Sequence, residues 1–181
     1  HEYVDLGLPS GLKWATCNIG ADAPEKSGAF FAWGETEEKG DYSWNTYKFY
    51  NAADYTVTEY CIRPRYGVVD QKTVLEAEDD VANVKWGASW RMPTWAEQEE
   101  LYNSCTWEWT TLNDVLGYKI TGPNGNSIFL PVTGYKNDDK TYNKNGGYYW
   151  TSTLIDKTCL CAYYMIFDGT ECRRGEYARR C

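Results

Sequence analysis

The sequence predicts an α+β fold, and three observations carry that prediction. Strand-like segments open the chain, two helical ones follow, and strand-like ones return, so helices and strands are segregated instead of alternating. Aromatic residues make up 17% of the 181 positions, with 16 Tyr and 9 Trp, a composition suited to strands and to contact surfaces alike. A Pro-Asn-Gly turn between two apolar runs in the second half is a hairpin signal. The length fits one domain, residues 1–181, with enough chain to bury a core.

In chain order, "EYVDLGLPSGLKWATCNIG" reads as a strand, a Pro-Ser-Gly turn and a second strand through Trp14 and Ala15. "GAFFAWGE" (Gly28–Glu35) is a short apolar segment closed by glycine, and Tyr42 to Tyr60, polar and aromatic, reads as a long surface loop. A first helix is predicted within Val74–Trp86, where Glu76, Glu78, Asp79 and Asp80 gather toward the end that the helix dipole favours. A second starts at "PTWAEQEELYNSC". Thr94 and Glu97 have capping-box spacing there, and Leu101, Tyr102 and Cys105 give an apolar face that Gln98 weakens.

The rest reads as β structure. "YKITGPNGNSIFLPV" is the hairpin, and "GGYYWTST", "CAYYMIF" and "TECRRGEYARR" are three further strands. Alternation places Tyr163, Met165 and Phe167 on one face, with Tyr164, Ile166 and Asp168 on the other. Trp14, Trp33, Trp86, Trp90, Phe129 and Trp150, beside Gly turns and apolar strands, are expected to be largely buried.

Charge and composition exclude some functions. A net charge of -8 argues against a nucleic-acid partner, which would need a basic face. No run of about 18 apolar residues exists to span a membrane as a helix. The 7 cysteines are too sparse for a disulfide-built scaffold, and their odd number leaves at least one thiol free or paired between chains.

Several phrases together carry a resemblance: "YVDLGLPSGLKWATCNIGA", "FAWGET", "EDDVANVKWGASWRMPT", "GYKITGPNGNSIFLPVTGY" and "YYWTST". From Glu2 to about Phe167 the chain resembles the Fibrobacter succinogenes major paralogous domain, common in surface proteins of Bacteroidetes. The resemblance implies a C-type-lectin-like fold with paired terminal strands and a small antiparallel sheet carrying the ligand surface. It also implies an extracellular or cell-surface location, reached by export or a lipid anchor through a segment absent from this chain. Relatives serve as variable proteins of diversity-generating retroelements, in which adenine-directed mutagenesis rewrites codons near the C-terminus. Members often close with a Val-Arg-Pro-Val-like strand, whereas this chain closes with "EYARRC". Paired terminal strands would also bring Cys17 near Cys181.

Four chemistries compete for the C-terminal stretch. Cys159 and Cys161, with Cys172 and Cys181, lack the Cys-x2–4-Cys spacing of a zinc site, so incidental or disulfide-bonded cysteines fit better and no metal or other cofactor is expected. Calcium-dependent sugar binding lacks its family-level motifs, and "KNDDK" with Asn137, Asp138 and Asp139 reads as a solvated loop. The only histidine is His1, which excludes histidine-based triads. Cys172 beside Arg173 and Arg174 is the one thiol-nucleophile candidate, as in a cysteine-dependent enzyme related to formylglycine-generating enzymes. No enzyme activity is expected.

Recognition remains. Asp156, Leu160, Tyr164, Ile166, Asp168, Thr170, Cys172, Arg173, Arg174 and Tyr177 are expected to form one binding face, and Tyr and Arg dominate such faces energetically. From Lys157 onward five basic residues face three acidic ones, the reverse of the whole chain's balance. Mutating the adenines of an Asn codon yields Cys, Tyr, Arg, Asp, Leu or Ile, but not Lys, Met or Glu. Lys157, Met165, Glu171 and Glu176 would then be unvaried. The expected partner is a protein or glycan. Two alternatives stay open: an ordinary aromatic edge sheet, and a constant carbohydrate-binding adhesin that works without calcium.

Overall fold

The structure is a computed structural model describing residues 1–181. It is a mixed α+β arrangement of five small antiparallel sheets and two α-helices. Strands β1 (Tyr3–Asp5) and β2 (Lys13–Ala15) pair across the Pro-Ser-Gly turn, as the sequence predicts. Strands β3 (Tyr50–Asn51) and β4 (Thr56–Val57) form a short ribbon within the stretch expected to be a surface loop. That expectation holds only in part: Asn51 to Tyr55 are exposed, whereas Tyr42, Tyr47, Phe49, Val57 and Tyr60 are buried, with Tyr47, Phe49 and Tyr60 gathered around a cation supplied from the C-terminus.

Helix α1 spans Val81–Trp86, the last part of the predicted range. Asp80 sets its start: one carboxylate oxygen accepts from Ala82 N (2.9 Å) and Asn83 N (3.1 Å), the other from Met92 N (2.8 Å). Asp79 does not serve the helix. It is buried and takes an ion pair from Lys48 (2.5 Å) and a hydrogen bond from the Tyr60 hydroxyl. Helix α2 (Trp95–Ser104) carries the predicted capping box of Thr94 and Glu97. Its entry is also held by β10 (Gly147–Leu154): Ser152 N donates to Pro93 O (2.8 Å) and Trp95 N to Thr153 Oγ1 (3.0 Å). The "YYWTST" phrase thus positions a helix through the Ser152 backbone amide and the Thr153 hydroxyl.

Strands β5 (Thr106–Leu112), β6 (Val115–Thr121) and β7 (Ser127–Pro131) form a meander. The predicted Pro-Asn-Gly hairpin is its second half, and Asn124 and Asn126 of that turn both donate side-chain amides to Asp5 O (2.9 Å each), clamping β1. Strand β5 was not expected. Its turn is Asn113-Asp114, both at positive φ (49° and 66°), the two-residue geometry that matches strand twist. Strands β8 (Tyr135–Asn137) and β9 (Lys140–Tyr142) form a hairpin where "KNDDK" was read as a loop.

The last sheet orders β10–β11–β12, with β11 at Cys161–Phe167 and β12 at Cys172–Ala178. Each of its faces adjoins a buried cluster. One core, with Leu6, Leu101, Ile120, Met165 and Phe167, lies toward α2 and the meander; the other gathers Trp33, Tyr42, Tyr47, Phe49, Tyr60 and Ala162. Trp33 and Phe129 are buried as expected, while Trp14, Trp86, Trp90 and Trp150 are half-buried. The terminal strands do not pair: β1 pairs only with β2, and β12 only with β11. After Ala178 the chain runs instead along the apolar segment, where Trp33 N donates to Arg179 O (2.7 Å) and Trp150 Nε1 to both Phe31 O and Cys181 O (3.2 Å each). Cys17 Sγ donates to Ala21 O and Cys181 Sγ to Asn137 Oδ1, both thiols are free, and both border one cavity.

Candidate functional site

The register of the last sheet sorts the candidate residues. Ile166 lies directly between Tyr148 and Arg173, and Tyr164 between Trp150 and Gly175. These share a face with Tyr177, as the alternation predicts. Met165 pairs with Arg174 and Phe167 with Cys172, so Arg174 and Cys172 point to the opposite face. The ten candidates are therefore not one surface. Arg174 stacks over Tyr163 (4.8 Å) and Trp95 (5.1 Å), and Cys172 packs against the core around Phe167.

Others are used structurally. Asp168 leaves the strand and caps the β11–β12 turn: one oxygen accepts from Thr170 N (2.8 Å), Thr170 Oγ1 (2.6 Å) and Glu171 N (3.2 Å). Those bonds hold its carboxyl below the usual range. Asp156 and Leu160 lie in the β10–β11 loop, at the other end of the sheet. Asp156 is exposed and Leu160 packs against a small buried cluster.

Tyr164 is buried, at 8% exposure, which corrects its assignment as a free surface side chain. Its ring lies over Gly175, where an added Cβ would stand 2.3 Å from Cζ. Burial pushes its hydroxyl up to about 12. Tyr148 stacks on it at 5.8 Å and Tyr177 meets it edge-on at 6.0 Å. Tyr135 joins Tyr148 (4.9 Å), Tyr177 (5.2 Å) and Tyr142 (5.7 Å). Five tyrosines thus run in contact from the buried Tyr164 to the exposed Tyr142 (39%). Burial also raises the Tyr148 and Tyr177 hydroxyls, so these phenols stay neutral and able to donate.

The sequence reading missed Tyr135, Tyr142 and Tyr148. Tyr148 was accessible from alternation with Trp150 in "GYYWTST", but Tyr135 and Tyr142 join only because the β8–β9 hairpin packs on the sheet. Arg180 fixes that hairpin: its Nη1 donates to Tyr42 O (2.6 Å), Asn137 Oδ1 (2.5 Å) and Asp138 Oδ1 (3.3 Å). Two of the three residues considered for calcium, Asn137 and Asp138, therefore face a guanidinium. A cavity of about 360 Å3 adjoins the cluster, bordered by Phe30, Lys136, Tyr148, Trp150, Tyr164 and Tyr177 among others. That volume is within the size range of small-molecule sites.

Cys172 has no activating environment. Arg173 is on the opposite face and engages Glu171 (2.7 Å), while burial, with the Glu171 charge, pushes the thiol up to about 12. No three His, Cys, Asp or Glu side chains gather in a geometry that could hold a metal ion. No helix is long and apolar enough to cross a membrane. Comparison of the chain with models of known protein families, with curated proteins and with solved structures gave no match.

Proposed function

We propose that this domain is a non-catalytic recognition module of C-type-lectin-like fold, displayed at the cell surface. Its binding face is the tyrosine cluster with Ile166 and Arg173. The observation that carries this reading is the continuous run of tyrosines from core to solvent, backed by a buried scaffold and bordered by Arg173 and Lys136. Large, rigid aromatic side chains lose little entropy on binding and present both an apolar face and a donor, the combination that suits protein or glycan partners. Arg174 and Cys172 drop out of the face, and Asp168 and Thr170 shape the turn beside it. In this reading the segment from Gly147 onward is the part that a retroelement rewrites, on a scaffold that tolerates the changes.

A display library tests it. Tyr142, Tyr148, Ile166, Arg173 and Tyr177 are randomised together, and the variants are sorted first for protease resistance, then on immobilised proteins and glycans. Folded variants should be common, and specific binders should emerge from them. A library that mostly unfolds, or that yields no binder to any target, overturns the reading. The diversification element has its own test at the DNA level: a near-copy of the Gly147–Cys181 coding segment nearby, differing at template adenines, beside a reverse-transcriptase gene. Without that copy, a constant surface adhesin replaces the diversified module.

A further inference from the structure

Two cysteines far apart in sequence share one closed apolar cluster. Cys61 and Cys159 are each 0% exposed and pack together with Val57, also 0%. The backbone around Cys61 is fixed from both sides. The Asp70 carboxylate accepts from Tyr60 N (2.7 Å) and Cys61 N (2.9 Å), while Asp70 N (3.0 Å) and Gln71 N (3.2 Å) donate to Cys61 O. Cys159 is fixed as well, since Arg179 Nη1 donates to its carbonyl at 2.7 Å.

Their separation follows from one contact. Ile62 N donates to Cys159 Sγ at 3.2 Å, and that nitrogen is bonded to the carbonyl carbon of Cys61 itself. An amide nitrogen lies about 2.4 Å from the preceding Cα by standard covalent geometry. Cys159 Sγ is therefore no more than about 5.6 Å from Cys61 Cα, close enough for the two side chains to meet. Both thiols are free in this structure and belong to the same buried cluster.

We propose that Cys61 and Cys159 are joined by a structural disulfide when the domain folds in the presence of a disulfide oxidant. The bond forms by two exchanges with a small-molecule disulfide such as oxidised glutathione. One cysteine thiolate attacks an oxidant sulfur, forming a mixed disulfide and releasing one glutathione thiolate. The second cysteine thiolate then attacks the protein sulfur of that mixed disulfide and releases the other glutathione. Two cysteine thiols are oxidised, one glutathione disulfide is reduced to two glutathiones, and the two protons pass to the released thiolates.

The closed cluster sets the order of events. Only a thiolate attacks, and burial holds the Cys61 thiol in its protonated form, with a pKa of about 11, once the domain is folded. Exchange therefore precedes closure of the cluster, and the finished bond is shielded from reductant. Its consequence falls on the β10–β11 loop, where Arg63 already holds Asp156 O through Nη2 (2.9 Å) and Nε (3.2 Å). With Cys159 bridged, that loop is fastened at both ends, and Asp156, Lys157 and Thr158 are displayed from a covalently fixed base.

The test uses the full chain, denatured and reduced, then refolded in a reduced and oxidised glutathione mixture. Free thiols are blocked with N-ethylmaleimide under denaturing conditions, and the protein is digested without reductant for mass spectrometry. A linked peptide pair containing Cys61 and Cys159, lighter by two hydrogens than the separate thiol peptides, is expected. The bridged domain should resist dithiothreitol until denaturant is added, and should melt roughly 5–10 °C above the domain refolded in reductant. The Cys61→Ala/Cys159→Ala variant should lose that difference. Full alkylation of both cysteines after native refolding overturns the proposal, as does finding either bridged to a different cysteine. The peptide map needs no variant to fold.

Discussion

Arg179→Met removes a cation from the middle of the molecule and leaves its apolar stem in place. Arg179 is 0% exposed, and none of its hydrogen-bond partners is a carboxylate. Nε donates to the Tyr47 hydroxyl (2.9 Å), Nη1 to Tyr60 O (3.1 Å) and Cys159 O (2.7 Å), and Nη2 to Glu59 O (3.1 Å). The guanidinium also faces the rings of Trp33 (4.8 Å), Tyr47 (5.4 Å), Phe49 (5.7 Å) and Tyr60 (5.8 Å). Burying a bare cation costs several kcal/mol, offset here by charge-assisted bonds of about 1.5–3 kcal/mol each and by cation–π contacts. Methionine removes the desolvation cost together with those gains, but strands the Tyr60, Cys159 and Glu59 carbonyls, while the Tyr47 hydroxyl keeps its bond to Trp33 O. At about 1–3 kcal/mol for each group left unpaired, and allowing for relaxation, a net loss of about 3–5 kcal/mol is expected. Urea unfolding of the full chain measures it. Arg173→Met, on the exposed face, is the control and should shift stability by less than about 0.5 kcal/mol. If Arg179→Met also falls within about 1 kcal/mol of the parent, Arg179 does not organise the aromatic core and the reasoning fails.

Gly175→Ala should destabilise the domain by about 1–3 kcal/mol and displace the Tyr164 ring, because the new Cβ would stand 2.3 Å from that ring. Loss of the Tyr148–Tyr164 stacking signature in near-ultraviolet dichroism would accompany it, and an unchanged spectrum and midpoint would count against the packing described. Acid should weaken the entry to α2, because the Arg91 guanidinium, with capping bonds from Thr94, holds Glu97 near a pKa of about 2 despite partial burial. The folded pKa is below the unfolded value of about 4.3, so this contribution is complete above that value and is lost as pH falls toward 2. The melting-temperature gap between the parent and Glu97→Gln should therefore close across that interval, and a gap independent of pH would refute the assignment. Cys172 should react with Ellman's reagent in the native state far more slowly than a free thiol, since burial and Glu171 push it up to about 12; rapid native labelling there would revive a nucleophilic role.

What the sequence determined by itself was local. Thr94 and Glu97 stand three positions apart and form the capping box, Pro-Asn-Gly bends the β6–β7 hairpin, and the alternation in "CAYYMIF" fixes which side chains of β11 share a face. Each depends on neighbours within a few positions, so spacing and turn chemistry are enough to read it. The Asn113-Asp114 turn that closes β5 and β6 is equally local: Asn and Asp tolerate the positive φ that both adopt there. What only the tertiary structure decided was which faces are covered. Tyr42 to Tyr60 looks like a surface loop until Arg179, more than a hundred positions on, supplies a cation whose donors and charge draw Tyr47, Phe49 and Tyr60 inward. Tyr164 looks like a surface side chain until Gly175 opens a seat for its ring and Tyr148, Trp150 and Tyr177 pack around it. A period of two assigns residues to opposite sides of a sheet, but it carries no information about what packs against either side, because that depends on contacts made across the whole chain.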